Sequence, residues 1–530
     1  MASCYNEETL EHSFVNGENV EFTDAELVTL FQMRGNDHKI DVGEATKFAN
    51  DVIGFLDTDV ATKAASPRKI SSIAVLTAED MQKVVTRVSD GETIEIPDTI
   101  AYLFNFGDNS GYAIVSGDKR IDAPILGYCD SGSLTDGLNN PGLIGIMVDM
   151  ENYIVASISK YENRIDSITN EILNKIVGDS AITKMVTDRK DFLQSYELYV
   201  REIDGYAPST PTTTTTTSTT VGNWVTTDQV QPLLPVEWNQ GFPFNYRVKN
   251  KNGCTNAPAG CVAVALAHLL AYWQYPASVG NTTFNWPLIE SYTARPNAYP
   301  NVFNKKKFNI SESQYSNSNT FSADEKNFVS QVSTLLEFIG SCVAMKYTNN
   351  GSSASNDMAM RFLYTFGYNT DPNTYNGTYV MNYDYNKVIQ SLNSKCPVYA
   401  SGESKKIKHR IKILGITVGT WSEYGEGHAW VIDGYLNRRK ATTVQVTVKN
   451  RSTGVIVSQT STTTNSYANY LHHNWGWEGE NGYYYNGYIV AGSYDSQDPD
   501  RLDSNTRATV TYDEGNYQFL KEICPNLRPR

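Results

Sequence analysis

The sequence predicts an α+β protein of two units: a smaller α+β unit, then a larger one whose helical half packs on an antiparallel β half. Three observations carry this. Strand-like runs over 70–128 give way to helical spacing over 142–203. An Ala- and Leu-rich run opening at Gly260-Cys261 precedes a β-like stretch that begins at Pro397. Between the units lies a threonine tract, Thr212 to Thr217 with Thr219 and Thr220, whose composition cannot bury a core. The expected organisation is a helical entry at 1–66, an α+β domain at 67–207, a Thr-rich linker at 208–223 and a larger domain at 224–530. An exposed, unstructured linker is also where proteases cut.

The elements follow in order. Phe22 to Leu27 has a helix start, with Thr23 or Asp24 as the cap, and Phe48 to Leu56 carries apolar residues at helical spacing. Ile70 to Leu76 reads as a strand. Tyr102 to Phe106 and Gly111 to Ser116 read as a hairpin across Gly107-Asp108-Asn109-Ser110, with another strand at Ala123 to Tyr128. Leu143, Ile146, Met147, Met150, Tyr153 and Ile154 form one helical face. The run from Cys261 to Gln274 stops at Tyr275-Pro276, because proline neither donates a helical hydrogen bond nor fits the preceding turn. Residues 280–325 read as surface loops, Lys326 to Lys346 and Asn356 to Phe366 as helices. Pro397 to Gly402, Ala429 to Tyr435, Val444 to Val448 and Gly482 to Val490 read as strands.

Composition narrows the function. Of 530 residues, Lys plus Arg number 44 and Asp plus Glu 58, a net charge of −14 that argues against nucleic acid or an anionic membrane surface as the main partner. No apolar run reaches the length of a membrane span. The 7 cysteines lie far apart and none form a Cys-x-x-Cys pair, so no zinc site of that kind is expected, and the odd count leaves at least one thiol. The start, Met1-Ala2-Ser3-Cys4, lacks the charged and apolar regions of a signal peptide, and a Ser-Cys start is similar to the mature end of a bacterial lipoprotein. An extracytoplasmic location (secreted, periplasmic or cell-surface), with Cys4 as a candidate lipid anchor, is the expectation.

Chemistry concentrates at Cys261. A cysteine in the first turn of a helix faces unpaired N–H groups and the positive end of the helix dipole, which favour the thiolate. Many such cysteines are only small buried residues. A nucleophile also needs a base and something to orient that base. Of the 7 histidines, His12 and His38 precede the threonine tract, His268 is two turns along the same helix, His409 lies in a basic loop, and His472 and His473 are adjacent at a strand start. His428 follows Gly425-Glu426-Gly427 and opens a strand, which holds it rigidly at an interface. Asn474 offers an amide to fix the histidine tautomer, and Trp475 a ring to shield that bond from water. Gln240 offers an amide donor to a developing oxyanion, with the Cys261 N–H as the second.

The order Gln240, Cys261, His428, Asn474-Trp475 resembles the papain-like cysteine protease clan, and in detail the streptopain family of bacterial cysteine proteases. The resemblance is carried by Trp238-Asn239-Gln240-Gly241-Phe242-Pro243-Phe244-Asn245, Gly260-Cys261-Val262-Ala263 with its Tyr275-Pro276 end, Tyr347-Thr348-Asn349-Asn350-Gly351-Ser352-Ser353-Ala354, Gly427-His428-Ala429-Trp430-Val431-Ile432-Asp433-Gly434-Tyr435 and Asn474-Trp475-Gly476-Trp477. It covers roughly 224–530. Tyr102 to Phe106, Gly111 to Arg120 and Pro124 to Tyr128 are similar to that family's inhibitory pro-domain.

The resemblance implies a papain-like two-subdomain protease with a pro-domain, hence a zymogen activated by removing the pro-domain. It implies Cys261 as nucleophile, His428 as base, Asn474 or Trp475 as its orienter, Gln240 and Cys261 at the oxyanion, Gly427 and Ser401 as substrate-binding residues, and neither cofactor nor metal. The expected partners are protein or peptide substrates, the pro-domain as an intramolecular inhibitor, and an activating protease. Two alternatives remain open at this point: a cysteine amidase or acyltransferase on cell-wall peptides, and an inactive adhesin that retains the fold.

Overall fold

In the computed structural model, one antiparallel sheet runs through both units. The structure describes residues 8–10, 38–58, 67–77, 85–86, 93–94, 98–134, 140–177, 213–279, 281–292, 308, 310–370, 380–403, 410–413, 416–420, 427–450, 452–477, 481–487 and 520–530. The candidate helix at 22–27, the basic loop around His409 and the Cys4 region lie outside the described residues.

Among the described residues, the N-terminal unit is built on a four-stranded antiparallel sheet and two α-helices, with a separate short pair at Val85–Thr86 and Thr93–Ile94. Strand β1 (Ile70–Thr77) pairs with β2 (Thr99–Phe106), β2 with β3 (Tyr112–Ser116) and β3 with β4 (Ile125–Cys129), all antiparallel. Helix α1 (Val42–Thr58) starts where the Asp41 carboxylate accepts from the Glu44 N–H at 2.8 Å, and it buries Ala45, Ala49, Val52 and Leu56 as one stripe. Helix α2 (Pro141–Val177) opens at Asn140, whose side-chain oxygen accepts from the Gly142 and Leu143 N–H groups. A buried Arg120 ties this helix back, pairing with Asp118 at 2.6 Å and with Glu162 at 3.0 Å.

The larger unit begins with β5 (Thr213–Val221) and β6 (Val225–Val230). Its helical half is built on α3 (Cys261–Trp273), which is buried on every side from Val262 to Ala271, as an all-apolar helix must be. Helix α4 (Ala323–Cys342) starts with a capping box between Ser322 and Glu325, and α5 (Asn356–Thr365) with a Ser355 cap. The β half contains β7 (Val398–Glu403), the long pair β8 (Gly427–Asn450) and β9 (Ile456–Asn474), β10 (Gly482–Tyr485) and β11 (Leu520–Cys524). In order, β11, β7, β8, β9 and β10 are neighbours, and β10 then pairs with β4 of the N-terminal unit. That last register is Gly482 opposite Cys129, Tyr483 opposite Tyr128 and Tyr484 opposite Gly127. Gly482 is required there: a Cβ would lie 2.5 Å from the Tyr128 carbonyl oxygen. A strand of the larger unit, Arg410–Ile413, also meets the far edge of the N-terminal sheet through Ile413 and Leu76.

Two apolar cores lie on opposite faces of the sheet. One joins the N-terminal unit to Trp430, Ile432, Trp475 and Tyr484; the other joins α3 and α4 to Tyr399, Ala429, Val431 and Cys524. Successive β8 residues alternate between them, as the period of a strand demands.

The structure corrects several expectations. The tract expected as an unstructured linker over 208–223 is a strand from Thr213 to Val221, antiparallel to β8 from Thr442 to Asn450 and to Glu8–Leu10. The linker argument counted only buried apolar area; backbone pairing along an existing strand supplies the ordering free energy instead, and β-branched threonine suits it. His472 and His473 stand at the end of β9, not at a strand start. The separate strands at 429–435 and 444–448 are one continuous strand, because β9 pairs with it from Asn474 back to Ile456. Within 280–325, Trp286–Ser291 and Glu312–Asn317 are short helices, each with a side-chain cap that a loop-like composition concealed. If the tract is a strand, the backbone amides of 213–221 exchange with deuterium slowly, at rates comparable with 442–450. Exchange at the free-chain rate would contradict the pairing; hydrogen–deuterium exchange with mass spectrometry makes the measurement.

Candidate active site

Cys261 is the first residue of α3, half-buried and not in a disulfide. Gly260 before it has φ 95°, and a Cβ there would lie 2.7 Å from the Met345 sulfur, so only glycine permits this turn into the helix. The segment bearing Gln240 is fixed beside it: the Ala259 N–H donates to the Gln240 carbonyl at 2.8 Å, two residues before the cysteine. Two residues before Gln240, the Trp238 N–H donates to Nε2 of the buried His268 at 3.0 Å. His268 is therefore a structural residue, as its position on the helix suggested. Burial holds its pKa down at about 3, so it stays a neutral acceptor.

His428 lies on the other face of the sheet. It pairs across β7 with Gly402, while Ala429 pairs with Ser401 and faces the α3 core. The His428 ring stacks on Trp430 with centroids 5.8 Å apart and lies 6.5 Å from Trp475. Its Nε2 donates to the Trp475 carbonyl oxygen at 2.9 Å, which puts the proton on Nε2. Burial lowers its pKa to about 4, against a smaller opposing effect of that bond. His473 completes the stack on Trp475 at 4.7 Å and accepts from Trp430 Nε1 at 2.9 Å; burial holds it far below the usual histidine range.

Asn474 does not reach this ring. Its Nδ2 donates to the Val236 carbonyl at 3.2 Å and its Oδ1 accepts from the Gly476 N–H at 3.3 Å, so it anchors the segment leading to Gln240. Trp475 is the residue in contact with His428, through its carbonyl and its ring. The Trp475 N–H in turn donates to Asn481 Oδ1 at 2.9 Å. Gly427 is exposed at the strand mouth; Ser401 is buried on the α3 face. The structure thus brings Gln240 and Cys261 together, and His428 and Trp475 together, with the sheet separating the two pairs.

The N-terminal unit presses on the second pair. A Cβ on Gly142, in the first turn of α2, would lie 2.2 Å from the Trp475 ring. The Tyr112 and Tyr484 hydroxyls are 2.5 Å apart, and the Cys129 thiol meets the Asn481 carbonyl. Sequence reasoning missed Gly142 and Asn481: a glycine at a helix start and a lone asparagine carry no local signal, and only the β4–β10 pairing brings them to Trp475. Among the described residues, no three His, Cys, Asp or Glu side chains converge as a metal site, and no helix is long and apolar enough to cross a membrane.

Residues 238–485 match the family model described as the Peptidase C10 family, and residues 38–154 the one described as Spi protease inhibitor. The protein is a cysteine-type peptidase made with an inhibitory pro-domain, that is, a zymogen. Its residues 238–485 are those of the peptidase C10, or streptopain, family. Streptopains of Streptococcus pyogenes, that of serotype M28 among them, are 27% identical over 348 residues, 64% of this chain and 74% of theirs. Among solved structures, a prointerpain A fragment of Prevotella intermedia aligns over 83% of this chain and 98% of its own, with 15% identity and a TM-score of 0.39. Active interpain A of the same organism covers 49% of this chain and 89% of its own, at 20% identity and a TM-score of 0.29.

The histidine environments fix a pH dependence of precursor stability. In the unfolded chain a histidine titrates near 6.5, whereas folded His428 and His268 resist protons down to about 4 and about 3. Between these values the unfolded state binds more protons, so stability falls as pH drops below 6.5, by up to about 1.4 kcal/mol per pH unit for each histidine. Urea midpoints of the Cys261→Ala precursor at pH 7 and pH 4.5 check this; a midpoint unchanged or raised at pH 4.5 would contradict it.

Proposed function

We propose that Cys261 is the nucleophile and His428 its base, and that the precursor is inactive because His428 is held on the pro-domain face of the sheet. In the processed enzyme the His428 ring turns toward α3 and takes the Cys261 proton. The thiolate attacks the peptide carbonyl, and Gln240 and the Cys261 N–H receive the oxyanion. His428 then protonates the leaving amine, and water hydrolyses the thioester. Trp475 shields the His428 ring, and Asn474 holds the Val236–Gln240 segment in register with it. The single observation that carries this reading is the His428 Nε2 bond to the Trp475 carbonyl, beneath a ring against which Gly142 of the pro-domain is packed.

Ser401 and Gly427 line the substrate side, flanking the strand mouth across β7 and β8. The substrates are proteins or peptides. The domain division falls before β5 rather than through it, so activation cuts N-terminal to Thr213 and leaves Thr213–Val221 with the protease, either by the enzyme itself or by an activating protease. The strand's pairing with Thr442–Asn450 supports this. Its action is extracytoplasmic, at the cell surface or beyond, with Cys4 as a candidate anchor; a net charge of −14 and dispersed cysteines are compatible with that place.

Two tests follow from these roles. Cys261→Ala abolishes casein cleavage and any self-processing in a mass-spectrometric time course, and the N-terminus of the wild-type product lies before Thr213. Residual cleavage by the alanine variant sinks the nucleophile assignment, and a product starting after Val221 sinks the boundary. Gly142→Val forces a methyl group into the Trp475 ring and weakens pro-domain docking by about 1–3 kcal/mol. The lag before processing shortens several-fold, whereas Gly54→Ala, where a Cβ meets nothing within 4 Å, leaves it unchanged. An unaltered lag in Gly142→Val would remove the Trp475 contact from the inhibitory mechanism.

A further inference from the structure

On the α3 face of the sheet, three strands bring together side chains that the reaction does not use. Ser401 of β7 stands opposite Ala429 of β8 on one side and opposite Glu522 of β11 on the other. All three therefore point to one face. Asn356, the first residue of α5, bridges the group: its Nδ2 donates to Ser401 Oγ at 2.7 Å and to Glu522 Oε2 at 2.7 Å. Ser401 Oγ is 3.4 Å from the same carboxylate oxygen. The Tyr399 hydroxyl donates to Asn356 Oδ1 at 2.8 Å, which fixes which way the amide points. Tyr399 is buried and lies within electrostatic reach of both Cys261 and Glu522; burial and these neighbours push its pKa far up, so it remains a neutral donor.

The Glu522 carboxylate is thus held in one orientation, half-exposed, by two neutral donors that engage Oε2 alone. Among the described residues no Lys, Arg or His pairs with it, and Oε1 accepts no hydrogen bond. A preoriented carboxylate with one oxygen unused, on the wall that begins one residue after His428, is suited to a cation brought by something else. We propose that Glu522 is a specificity-determining residue: it selects a lysine or arginine side chain of the substrate, on the acyl side of the bond that Cys261 attacks. Asn356 and Ser401 are its positioning residues. The inference rests on Cys261 as the nucleophile, since the wall is defined relative to that thiol.

Fluorogenic peptides scanned with Arg, Lys, Val and Glu at each of the three positions before the scissile bond test it, using full-length precursor that has been allowed to process. At one of these positions, kcat/KM for Arg or Lys exceeds that for Val by roughly tenfold or more, and Glu is the poorest. Glu522→Gln keeps the shape and the Asn356 contact; it lowers the Arg peptide about tenfold and leaves the Val peptide within twofold, which also reports that the variant is folded. Glu522→Lys reverses the order of the Arg and Glu peptides. A wild-type preference for Val at all three positions, or an Arg-to-Val ratio unchanged in Glu522→Gln, overturns the inference while leaving the protease intact. Cleavage that persists in a Cys261→Ala control would instead overturn the nucleophile assignment on which it rests.

Discussion

The backbone pairing of Gly482–Tyr484 with Gly127–Cys129 is the constraint on which the rest depends. Through it the pro-domain sheet and the protease sheet are one sheet, and their outer faces bury one common core. Trp430, His473, Trp475 and Tyr484 belong to that core, so the pro-domain stabilises the conformation of the strand ends that carry His428 and Trp475. In the proposed mechanism inhibition and folding are the same interaction. The pro-domain contributes part of the apolar environment in which a neutral His428 donates to a carbonyl.

The alternation of a strand turns that environment into a switch. His428 and Ala429 are adjacent, yet one side chain belongs to the shared core and the other to the α3 core. His428 is the second residue of β8, paired with Gly402 of β7 and preceding the β9 ladder, which starts at Val431; in the proposed mechanism its ring changes faces once Trp475 is relieved. Ile432, further along, is paired on both sides, with Val398 of β7 and with His473 of β9. The proposed mechanism therefore places at this end of the strand a side chain that is withheld by the pro-domain and then delivered to the thiol.

Much of this was legible in the sequence where the signal is local. The α3 helix followed from its apolar run and its Tyr275-Pro276 stop, and the pro-domain hairpin from two apolar runs about a polar loop. The place of His428 at the mouth of a strand followed from the glycines before it and the apolar run after it, while its partnership with Cys261 is what we propose. What escaped depends on long-range pairing. Nothing near Glu522 marks it, because its partners Asn356 and Ser401 are distant in the chain and meet only through the β7–β11 register. Asn474 and Trp475 were indistinguishable as neighbours of the histidine until the backbone turn after β9 gave one of them the carbonyl and the other an anchoring role.

The threonine tract exposes the limit of composition as evidence. Low apolar content rules out a core of the tract's own, and that inference is sound. It does not rule out order, because an edge strand gains its stability from backbone hydrogen bonds to a neighbour that is already ordered. The neighbour here is β8, extended by β9 far beyond the length needed to present His428. The long hairpin thus gives the tract a template, and the tract covers part of its otherwise open edge. A cut within β5 would have to break that pairing first; in the proposed activation the cut falls before it, so the hairpin that carries His428 at one end guides processing at the other.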